Sequence, residues 1–288
     1  MKIFITGIGS FIGSALARRL ASGGHVVVGS STRPGASVRH VLGDEVDPQW
    51  LADTDALVHA AWDLDPSASD RNRSGSVRWR EAAAATHAHA LFVSSYSAYS
   101  DFPSSYGRDK AEVEASFTGA SAAIVRPALV AGGGGLFREL VHRVSGSRLS
   151  LLPDGGRHEV ELVDVDDVCA AIELLLQRRA SGEHDLSAGR LPLADVCRAI
   201  ASGLGRPALR VMPIPTGPVL GALALSARLG IGAEFRERLL GFVENSSRRR
   251  SSGLAALLGR APVSPRDSAR ARAVEIVGAS KEGAASPV

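Results

Sequence analysis

Apolar and amphipathic segments alternate along the first part of the chain. Residues 2–6 form an apolar run of strand length, residues 14–20 carry apolar side chains at helical spacing, and residues 25–30 form a second apolar run. Short apolar runs of this kind are typical of buried strands. The alternation continues to about residue 128. It predicts a parallel sheet covered by helices on both faces, which is an α/β fold.

The pattern becomes less regular after residue 128. Consecutive glycines at 132–135 predict a flexible corner. The further predicted elements are a helix at 136–144, a strand at 159–163, a helix at 164–177 with Asp164 as its N-cap, a strand at 184–187 and a helix at 193–204. Residues 205–245 are expected to complete a smaller lobe.

A glycine-rich turn joins the first predicted strand to the first predicted helix. Gly7, Gly9 and Gly13 follow directly after Thr6. Glycines permit a tight turn and the close approach of a pyrophosphate, and the helix N-terminus offers unpaired N–H groups and the positive end of the helix dipole. One such turn is weak evidence by itself. Here the next strand follows at βαβ spacing, so the segment predicts a phosphate-binding unit.

Tyr106 and Lys110 are four residues apart, so on a helix they share one face. A neighbouring ammonium favours a phenolate. We therefore expect Lys110 to lower the pKa of Tyr106 from its ordinary value of about 10. Such a tyrosine transfers a proton to or from a substrate oxygen near neutral pH. The alternative is a surface helix that carries one such pair by chance.

Together the two motifs resemble the extended branch of the short-chain dehydrogenase/reductase superfamily, the NAD(P)-dependent epimerase/dehydratase family. The resemblance covers about residues 1–210. The other segments that match, in family order, are a third strand ending in an acidic residue at 41–44, a fourth strand at 55–61, a helix opening at 72–76, a fifth strand at 91–95, Arg126-Pro127 after a sixth strand, and the Val-Asp-Val-Asp-Asp-Val segment at 163–168. The resemblance implies a Rossmann-type doubly wound parallel sheet with a small C-terminal substrate lobe.

The resemblance also implies chemistry, namely hydride transfer between a nicotinamide and a carbinol carbon. The implied catalytic residues are Tyr106 as proton donor, Ser95 as the hydroxyl that polarises the carbonyl, Lys110 as ligand of the nicotinamide ribose, and Asn72 as part of a proton relay. The residues expected to bind the cofactor are Thr6, Gly7, Gly9, Ser10, Phe11, Ile12, Gly13, Ser30, Ser31, Arg33, Asp44, Ala60, Ala61, Lys110 and Pro127. Trp62, Tyr96 and Tyr99 are expected to line the substrate pocket, although core packing explains Trp62 equally well.

The sequence departs from the family pattern at two positions, and the chain is also short for a nucleotide-sugar enzyme of this branch. The family's turn has a glycine where this chain has Ser10. Either the Ser10 hydroxyl bonds a phosphate oxygen, or the Ser10 Cβ holds the backbone away from the phosphate. Ser95 lies only eleven positions before Tyr106, which predicts a trimmed loop and a more open site. Ser94 precedes Ser95, but the family spacing to Tyr99 selects Ser95, and strand alternation directs the two serines to opposite faces.

The end of the second strand indicates which cofactor is used. An enzyme that prefers NAD carries Asp or Glu there to bind the ribose 2′-hydroxyl. Here that position is Ser30, followed by Ser31 and Arg33. No carboxylate repels a 2′-phosphate, and hydroxyls with an arginine can bind one. We therefore expect NADP(H) to be favoured over NAD(H). The alternative is a polar turn that holds the ribose loosely.

Composition adds several exclusions. The 288-residue chain is 45% hydrophobic with a formal charge of only +3, so it can bury a large core and lacks the charge excess of a nucleic-acid-binding protein. Cys169 and Cys197 are expected to be buried apolar residues, not metal ligands or a disulfide. No signal peptide and no apolar run of membrane-spanning length is evident. We expect a cytoplasmic protein with a small-molecule substrate and no metal, and a homodimer is left open.

These observations give a domain assignment and a function. We predict an NADP-binding Rossmann domain at 1–128 with returning segments at 159–187, a substrate-binding lobe at 129–158 and 188–245, and a flexible C-terminal tail at 246–288 whose arginines at 248–250 are solvated. The predicted function is an NAD(P)H-dependent oxidoreductase, a ketoreductase acting on a small, moderately hydrophobic molecule. The alternatives are a nucleotide-sugar epimerase or dehydratase that uses transient oxidation, and a non-catalytic NADP(H)-binding regulator.

Overall fold

The computed structural model describes residues 1–119, 121–206, 208–215, 217, 244–245, 248 and 250–285. Residues 218–243, which were predicted to complete the small lobe, lie outside the described residues. The chain divides into two compact units. The first comprises Met1–Pro127, Asp166–Leu186 and Arg250–Gly259, and the second comprises Ala128–Val165 with the described residues of 187–249 and 260–285.

Seven parallel strands form the sheet of the first unit. Numbered along the whole chain they are β1 (Lys2–Thr6), β2 (Val26–Ser31), β3 (Val38–Arg39), β4 (Ala56–His59), β5 (His89–Val93), β6 (Ala122–Pro127) and β10 (Gly182–Leu186). Their order across the sheet is β10-β6-β5-β4-β1-β2-β3, and each neighbouring pair is parallel. The winding reverses between β1 and β4, which is where such sheets bind ligands. The predicted Rossmann-type α/β fold is confirmed.

Helices cover this sheet. They are α1 (Phe11–Ser22), α2 (Ser69–Ala85), α3 (Ser105–Glu114), α5 (Val165–Gln177) and the short α7 (Leu254–Leu258). α1 buries Leu16 and Leu20, which are one turn apart, and Gly23 is its C-cap. One face of the sheet packs on a core that contains Phe4, Trp79 and Phe92, all nearly fully buried.

The third strand is not where the sequence predicted it. β3 is the two-residue strand Val38–Arg39, whereas residues 41–44 form a turn in which the N–H of Asp44 donates to the carbonyl oxygen of Val41 at 3.1 Å. Gly43 has a φ of +104°, which interrupts an extended strand at that residue. The prediction of a strand at 41–44 is therefore wrong. α2 likewise begins at Ser69, earlier than the predicted helix opening at residue 72.

The second unit has its own core. It contains α4 (Gly135–Gly146), α6 (Leu193–Gly203) and α8 (Pro265–Ala285), with β7 (Leu129–Ala131), β8 (Leu149–Pro153), β9 (Glu159–Asp164), β11 (Gly189–Pro192) and β12 (Arg210–Ile214). Its sheets have the orders β11-β9-β7 and β12-β8. Phe137, Leu162 and Ile200 are fully buried in this core.

The prediction of a flexible tail at 246–288 is wrong for residues 250–285. Ala269 and Ala273 of α8 are fully buried in the core of the second unit. The hydroxyl of Ser268 donates to the carboxylate of Asp164 at 2.6 Å, and Arg272 donates to the same carboxylate at 2.6 and 3.0 Å. Two of the buried residues on this face are alanines, and Ile276 is the large one among them, so the face carries little of the large-apolar periodicity by which sequence indicates a helix. Within the described residues, no helix is both long and apolar enough to cross a membrane.

Candidate active site

The glycine turn between β1 and α1 has no room for side chains at two positions. A Cβ at Gly7, whose φ is +65°, would lie 2.8 Å from the Cα of Ala61. A Cβ at Gly13 would lie 2.2 Å from the carbonyl oxygen of Gly7. Because these neighbours are backbone atoms, rotating a side chain cannot relieve either contact. The turn is therefore compact, as a pyrophosphate-binding turn requires.

Ser10 stands where the family pattern has a glycine, and it caps α1. Its hydroxyl oxygen accepts a hydrogen bond from the N–H of Gly13 at 3.1 Å. The hydrogen of the same hydroxyl can still be donated to a phosphate oxygen. The N–H groups of Phe11 and Ile12 lie in the first helical turn, where no carbonyl of the helix itself can accept them. They are suited to hold an anion.

A buried hydrogen-bond chain supports this turn from below. The hydroxyl of Ser76 donates to the carbonyl oxygen of Asn72 at 2.6 Å, so its oxygen accepts the hydrogen on Nε2 of His59 at 2.8 Å. Nδ1 of His59 then accepts from the hydroxyl of Thr6 at 2.7 Å, and Thr6 accepts the N–H of Ala61 at 3.1 Å. Burial lowers the pKa of His59 to about 3, so the neutral ring that this chain requires is the stable form near pH 7.

The segment after β4 is held on both sides of Trp62. The N–H of Ala61 is bonded to Thr6, as described above, and the N–H of Asp63 donates to Oδ1 of Asn72 at 2.9 Å. The amide nitrogen of Asn72 donates back to the carbonyl oxygen of Asp63 at 2.8 Å. Both polar groups of the Asn72 side chain are thus engaged with backbone. This arrangement fits a residue that positions Trp62 better than the proton relay expected of Asn72.

The two serines after β5 have different partners. Ser94 is buried, and its hydroxyl donates to a carboxylate oxygen of Glu114 at 2.5 Å. The side chain of Ser95 faces that of Tyr106, on whose pKa it acts as a hydrogen-bond partner, and its oxygen accepts the N–H of Ser97 at 3.1 Å. The structure therefore brings Ser95, and not Ser94, to the phenol.

Tyr106 and Lys110 both lie on α3, which begins with Ser104 as its N-cap. Burial raises the pKa of Tyr106, and the hydrogen bond with Ser95 opposes that rise. The expectation that Lys110 lowers the pKa of Tyr106 is not met, because desolvation of the phenol is the larger effect. The ammonium of Lys110 lies 5.9 Å from the centroid of the Tyr106 ring.

Lys110 is enclosed by aromatic rings. Its side chain is buried, and its ammonium donates to the carbonyl oxygen of Val93 at 2.8 Å. The ammonium lies 3.8 Å from the centroid of a Trp62 ring and 4.6 Å from that of Phe92. Burial lowers the pKa of Lys110 to about 7, and the carboxylate of Glu114 acts in the opposite direction. Trp62 also meets the ring of Tyr106 edge-on at 6.0 Å, so one indole contacts both residues of the motif.

The end of β2 approaches the glycine turn through Ser31. A Cβ at Gly9 would lie 3.2 Å from Oγ of Ser31, and that oxygen also accepts the N–H of Arg33 at 3.1 Å. Ser30 is buried, and its carbonyl oxygen accepts the N–H of Ile8 at 3.1 Å. Arg33 is exposed beyond the strand. Of the two serines, Ser31 is the one at the turn. Asp44 lies exposed in the turn after β3, and its expected place against the adenine stays a prediction.

Arg126 of the Arg-Pro motif is bound to carboxylates. Its guanidinium donates to both oxygens of Glu114, at 2.8 and 2.5 Å, and to Glu183 at 2.5 Å. Arg126 and Glu114 are both buried, so each needs the other to offset the loss of water. The carbonyl oxygen of the neighbouring Pro127 accepts the N–H of Tyr96 at 3.0 Å. This ion pair connects β6 to α3 through Glu114, which also accepts a hydrogen bond from the hydroxyl of Ser94.

Sequence reasoning missed Arg250. This residue belongs to the first unit, where its guanidinium lies 4.0 Å from the centroid of the Tyr99 ring and 5.9 Å from that of Tyr96. It donates to the carbonyl oxygen of Ala98 at 2.6 Å. The arginine run at 248–250 was visible in the sequence, but nothing local distinguishes an arginine that returns to a distant loop from one in solvent.

The residues around the turn fit a nicotinamide dinucleotide. The crowded backbone at Gly7 and Gly13 leaves the turn compact, and the free N–H groups of Phe11 and Ile12 suit a pyrophosphate. Ala60 and Ala61 offer little side chain at the end of β4. Ser95, Tyr106 and Lys110 are clustered in the same unit.

Comparison with known proteins agrees with this geometry. The model of the NAD dependent epimerase/dehydratase family matches residues 3–189. UDP-N-acetylglucosamine 4-epimerase from Bacillus cereus has a similar structure, with a TM-score of 0.73, 18% identity and coverage of 96% of this chain and 100% of its own. MoeE5 in complex with UDP-glucuronic acid and NAD gives a TM-score of 0.72, 20% identity and coverage of 97% and 100%. Human epimerase family protein SDR39U1 (isoform2) with NADPH gives a TM-score of 0.69 and 18% identity, and the match covers 96% of this chain and 99% of its own. At these identities the likeness concerns the fold alone. No curated protein matches the sequence.

Proposed function

Because this chain belongs to the NAD dependent epimerase/dehydratase family, we propose that it is an NADPH-dependent reductase of a ketone on a small, moderately hydrophobic molecule. One arrangement carries the proposal: the side chain of Ser95 faces the phenol of Tyr106 and acts as a hydrogen-bond partner that lowers its pKa. The ammonium of Lys110 is buried within 5.9 Å of the same ring. A hydroxyl, a phenol and an ammonium held together in this way can polarise a carbonyl group and protonate its oxygen.

A reduced nicotinamide cofactor, held at the turn of Gly7 and Gly13 and by Lys110, would supply the hydride that the proposed reaction adds to the carbonyl carbon. Ser95 donates a hydrogen bond to the carbonyl oxygen and stabilises the charge that develops on it. Tyr106 then donates its proton to that oxygen. A general acid must carry its proton before the reaction, and the raised pKa of Tyr106 keeps the phenol protonated at neutral pH, although it also makes the phenol a weaker acid. Lys110, buried beside the Tyr106 ring, would hold the hydroxyls of the nicotinamide ribose.

The surroundings of Tyr106 support a substrate with apolar character. The indole of Trp62 meets the phenol ring edge-on at 6.0 Å, and it covers the Lys110 ammonium at 3.8 Å. A hydrophobic wall next to the proton donor favours a ketone with an apolar substituent and excludes water from the developing charge.

Turnover of NADPH tests the reaction. NADPH absorbance is followed with the purified protein and a panel of ketones and nucleotide sugars, and net oxidation of NADPH with a ketone is the expected result. Tyr106→Phe keeps the ring and removes the acid, so kcat should fall by about a hundredfold or more. Ser116→Ala is the matched control, because it removes a nearby hydroxyl that donates to the Val113 carbonyl. Near-normal turnover by Tyr106→Phe would reject the role given to the phenol.

The preference for NADPH is supported by the polar residues at the end of β2 and just beyond it. Ser31 lies against the glycine turn and Arg33 follows it, with no carboxylate at the strand end. We expect kcat/KM for NADPH to exceed that for NADH. Arg33→Ala should lower this ratio, and Ser31→Asp should lower it on the order of tenfold or more, because a carboxylate repels a 2′-phosphate. Arg18→Ala, an exposed arginine further along α1, is the control for loss of one charge. Equal use of NADH by the unaltered protein would overturn this part.

An epimerase or dehydratase is the second candidate. The family description itself and the structural likeness to UDP-N-acetylglucosamine 4-epimerase favour it. The same panel separates the candidates, because conversion of a nucleotide sugar without net change of cofactor is the epimerase result. A dehydratase of this type needs a carboxylate beside the catalytic serine, and the neighbours of Ser95 are Ser94 and Tyr96. Tight binding of NADPH with no turnover of any substrate would instead favour a non-catalytic regulator.

A further inference from the structure

The loop between β5 and α3 links the two hydroxyls of the proposed reaction, since Ser95 is its second residue and Tyr106 lies just beyond its end. The N–H of Ser97 donates to Oγ of Ser95 at 3.1 Å, so the path of the loop orients that hydroxyl. The N–H of Ala98 donates to the carbonyl oxygen of Ser95 at 3.0 Å. A displacement of residues 97–99 would therefore act directly on Ser95.

Arg250 holds this loop at three points. Its guanidinium donates to the carbonyl oxygen of Ala98 at 2.6 Å and lies 4.0 Å from the centroid of the Tyr99 ring. The hydroxyl of Tyr96 donates to the backbone carbonyl oxygen of Arg250 at 3.4 Å. Only 11% of the Arg250 side chain is exposed, so these contacts are shielded from solvent.

The other side of Arg250 is fixed to the sheet. Its guanidinium lies 3.6 Å from the carboxylate of Asp185 on β10. The hydroxyl of Ser252 donates to the carbonyl oxygen of Asp185 at 3.1 Å, and Leu254 is almost fully buried. The segment that carries Arg250 is thus attached to the edge strand of the sheet, and Arg250 connects that strand to the loop. All of these residues belong to the first unit.

We propose that Arg250 is a positioning residue that fastens residues 96–99 to the sheet and thereby maintains the hydrogen bond between Ser95 and Tyr106. The inference rests on the proposed function, in which those two hydroxyls act on the substrate. An arginine suits the task because its planar guanidinium can lie on an aromatic ring while its edge donates to a carbonyl oxygen. A lysine keeps the charge, but its ammonium is not planar and cannot lie on an aromatic ring while donating several hydrogen bonds in the direction of a carbonyl oxygen.

Arg250→Lys is therefore the informative variant, and Tyr99→Leu is a second one that removes the stacking partner from the loop side. Arg272→Lys is the matched control. Arg272 is similarly shielded, with 16% of its side chain exposed, and it pairs with Asp164 in the second unit. Thermal unfolding establishes first that each variant is folded. Two readouts need no substrate: hydrogen–deuterium exchange of a peptide covering 95–104, and the pKa of Tyr106 from the NMR signals of labelled tyrosine, of which the chain has three.

In Arg250→Lys and Tyr99→Leu we expect exchange in this peptide to accelerate on the order of tenfold. The pKa of Tyr106 should rise further, because the bond with Ser95 that opposes the rise is weakened. With a ketone that the protein reduces, kcat should fall on the order of tenfold while the dissociation constant for NADPH changes less than twofold. Arg272→Lys should leave the exchange, the Tyr106 pKa and kcat unchanged.

Unchanged exchange or an unchanged Tyr106 pKa in folded Arg250→Lys and Tyr99→Leu would overturn the proposal. So would a loosened loop with normal kcat. If the unaltered protein reduces no ketone in the panel, the proposed function fails by that result alone, and the two substrate-free readouts still decide whether Arg250 positions the loop.

Discussion

Replacing Gly107 by alanine is expected to destabilise the protein, although helix propensity alone predicts the opposite. Gly107 lies within α3, next to Tyr106, and alanine is favoured over glycine in a helix interior by about 1 kcal/mol. A Cβ at Gly107 would, however, lie 2.4 Å from the carbonyl oxygen of Ser97 and 2.5 Å from Cδ1 of Phe102. The two segments must separate by about 1 Å before these atoms reach ordinary van der Waals distances.

The expected cost follows from what resists that separation. Forcing an extra methyl into a packed site costs about 1–3 kcal/mol. The Ser97 oxygen belongs to the backbone, and the N–H of Ser97 is bonded to Ser95, so the loop cannot move without loss. We take the upper part of the range. Subtracting the gain of about 1 kcal/mol from propensity leaves a net loss of about 1–2 kcal/mol. At roughly 2–4 °C per kcal/mol, Tm should fall by about 2–8 °C.

Gly278→Ala in α8 is the matched control. Gly278 is exposed in a helix interior, and a methyl group added to its Cα would meet open space. Propensity then acts alone, so this variant should be stabilised by up to about 1 kcal/mol. Urea unfolding monitored by circular dichroism gives both free energies. Because Gly107→Ala also separates Ser95 from Tyr106, its kcat should fall, whereas that of Gly278→Ala should not. A Gly107→Ala protein as stable as Gly278→Ala would refute the packing argument.

Two further predictions concern Lys110 and the indole of Trp62 that lies over its ammonium. NADPH should quench the fluorescence of Trp62, because this indole contacts Lys110. Trp50 and Trp79 pack against each other at 5.9 Å, and their fluorescence should not respond to NADPH. In Trp62→Phe that quenching should be lost while calorimetry still detects binding, and full quenching in this variant would contradict the placement of Trp62. Burial lowers the pKa of Lys110 from 10.5 to about 7, so between these pH values the unfolded chain binds more protons and stability rises with pH. Lys110→Met should therefore be more stable than the unaltered protein, and the difference should be largest below pH 7, where its upper limit is on the order of 4 kcal/mol. Above about pH 10 this pH-dependent difference should disappear. Parallel pH profiles of unfolding free energy for the two proteins would contradict the burial of a titrating ammonium.

The local parts of the fold could be predicted from sequence because each depends on residues close together in the chain. The first strand, the glycine turn and the first helix follow one another within Lys2–Thr6 and Phe11–Ser22, and the structure has them there. Tyr106 and Lys110 lie four positions apart on one helix, as their spacing predicted. Helical and strand periodicities are short-range properties, so a single sequence contains them.

Other features depended on partners far away in the chain. Arg250 contacts a loop about 150 residues earlier, and α8 packs through a face on which two of the buried residues, Ala269 and Ala273, are small and leave little periodic signal. Asn72 matches a catalytic motif, yet its amide is used to hold the backbone of Asp63. No property of these residues taken alone distinguishes such roles, because a side chain's role depends on which groups the fold brings to it.

By itself, the sequence determined the α/β alternation, the glycine-rich turn and the spacing of the phenol and the ammonium. Only the tertiary structure decided how these groups ionise. Proximity in sequence predicted a lowered pKa for Tyr106, whereas burial raises it and lowers that of Lys110 to about 7. The physical reason is that the cost of removing a charge from water depends on the whole surrounding volume, which no four-residue spacing encodes.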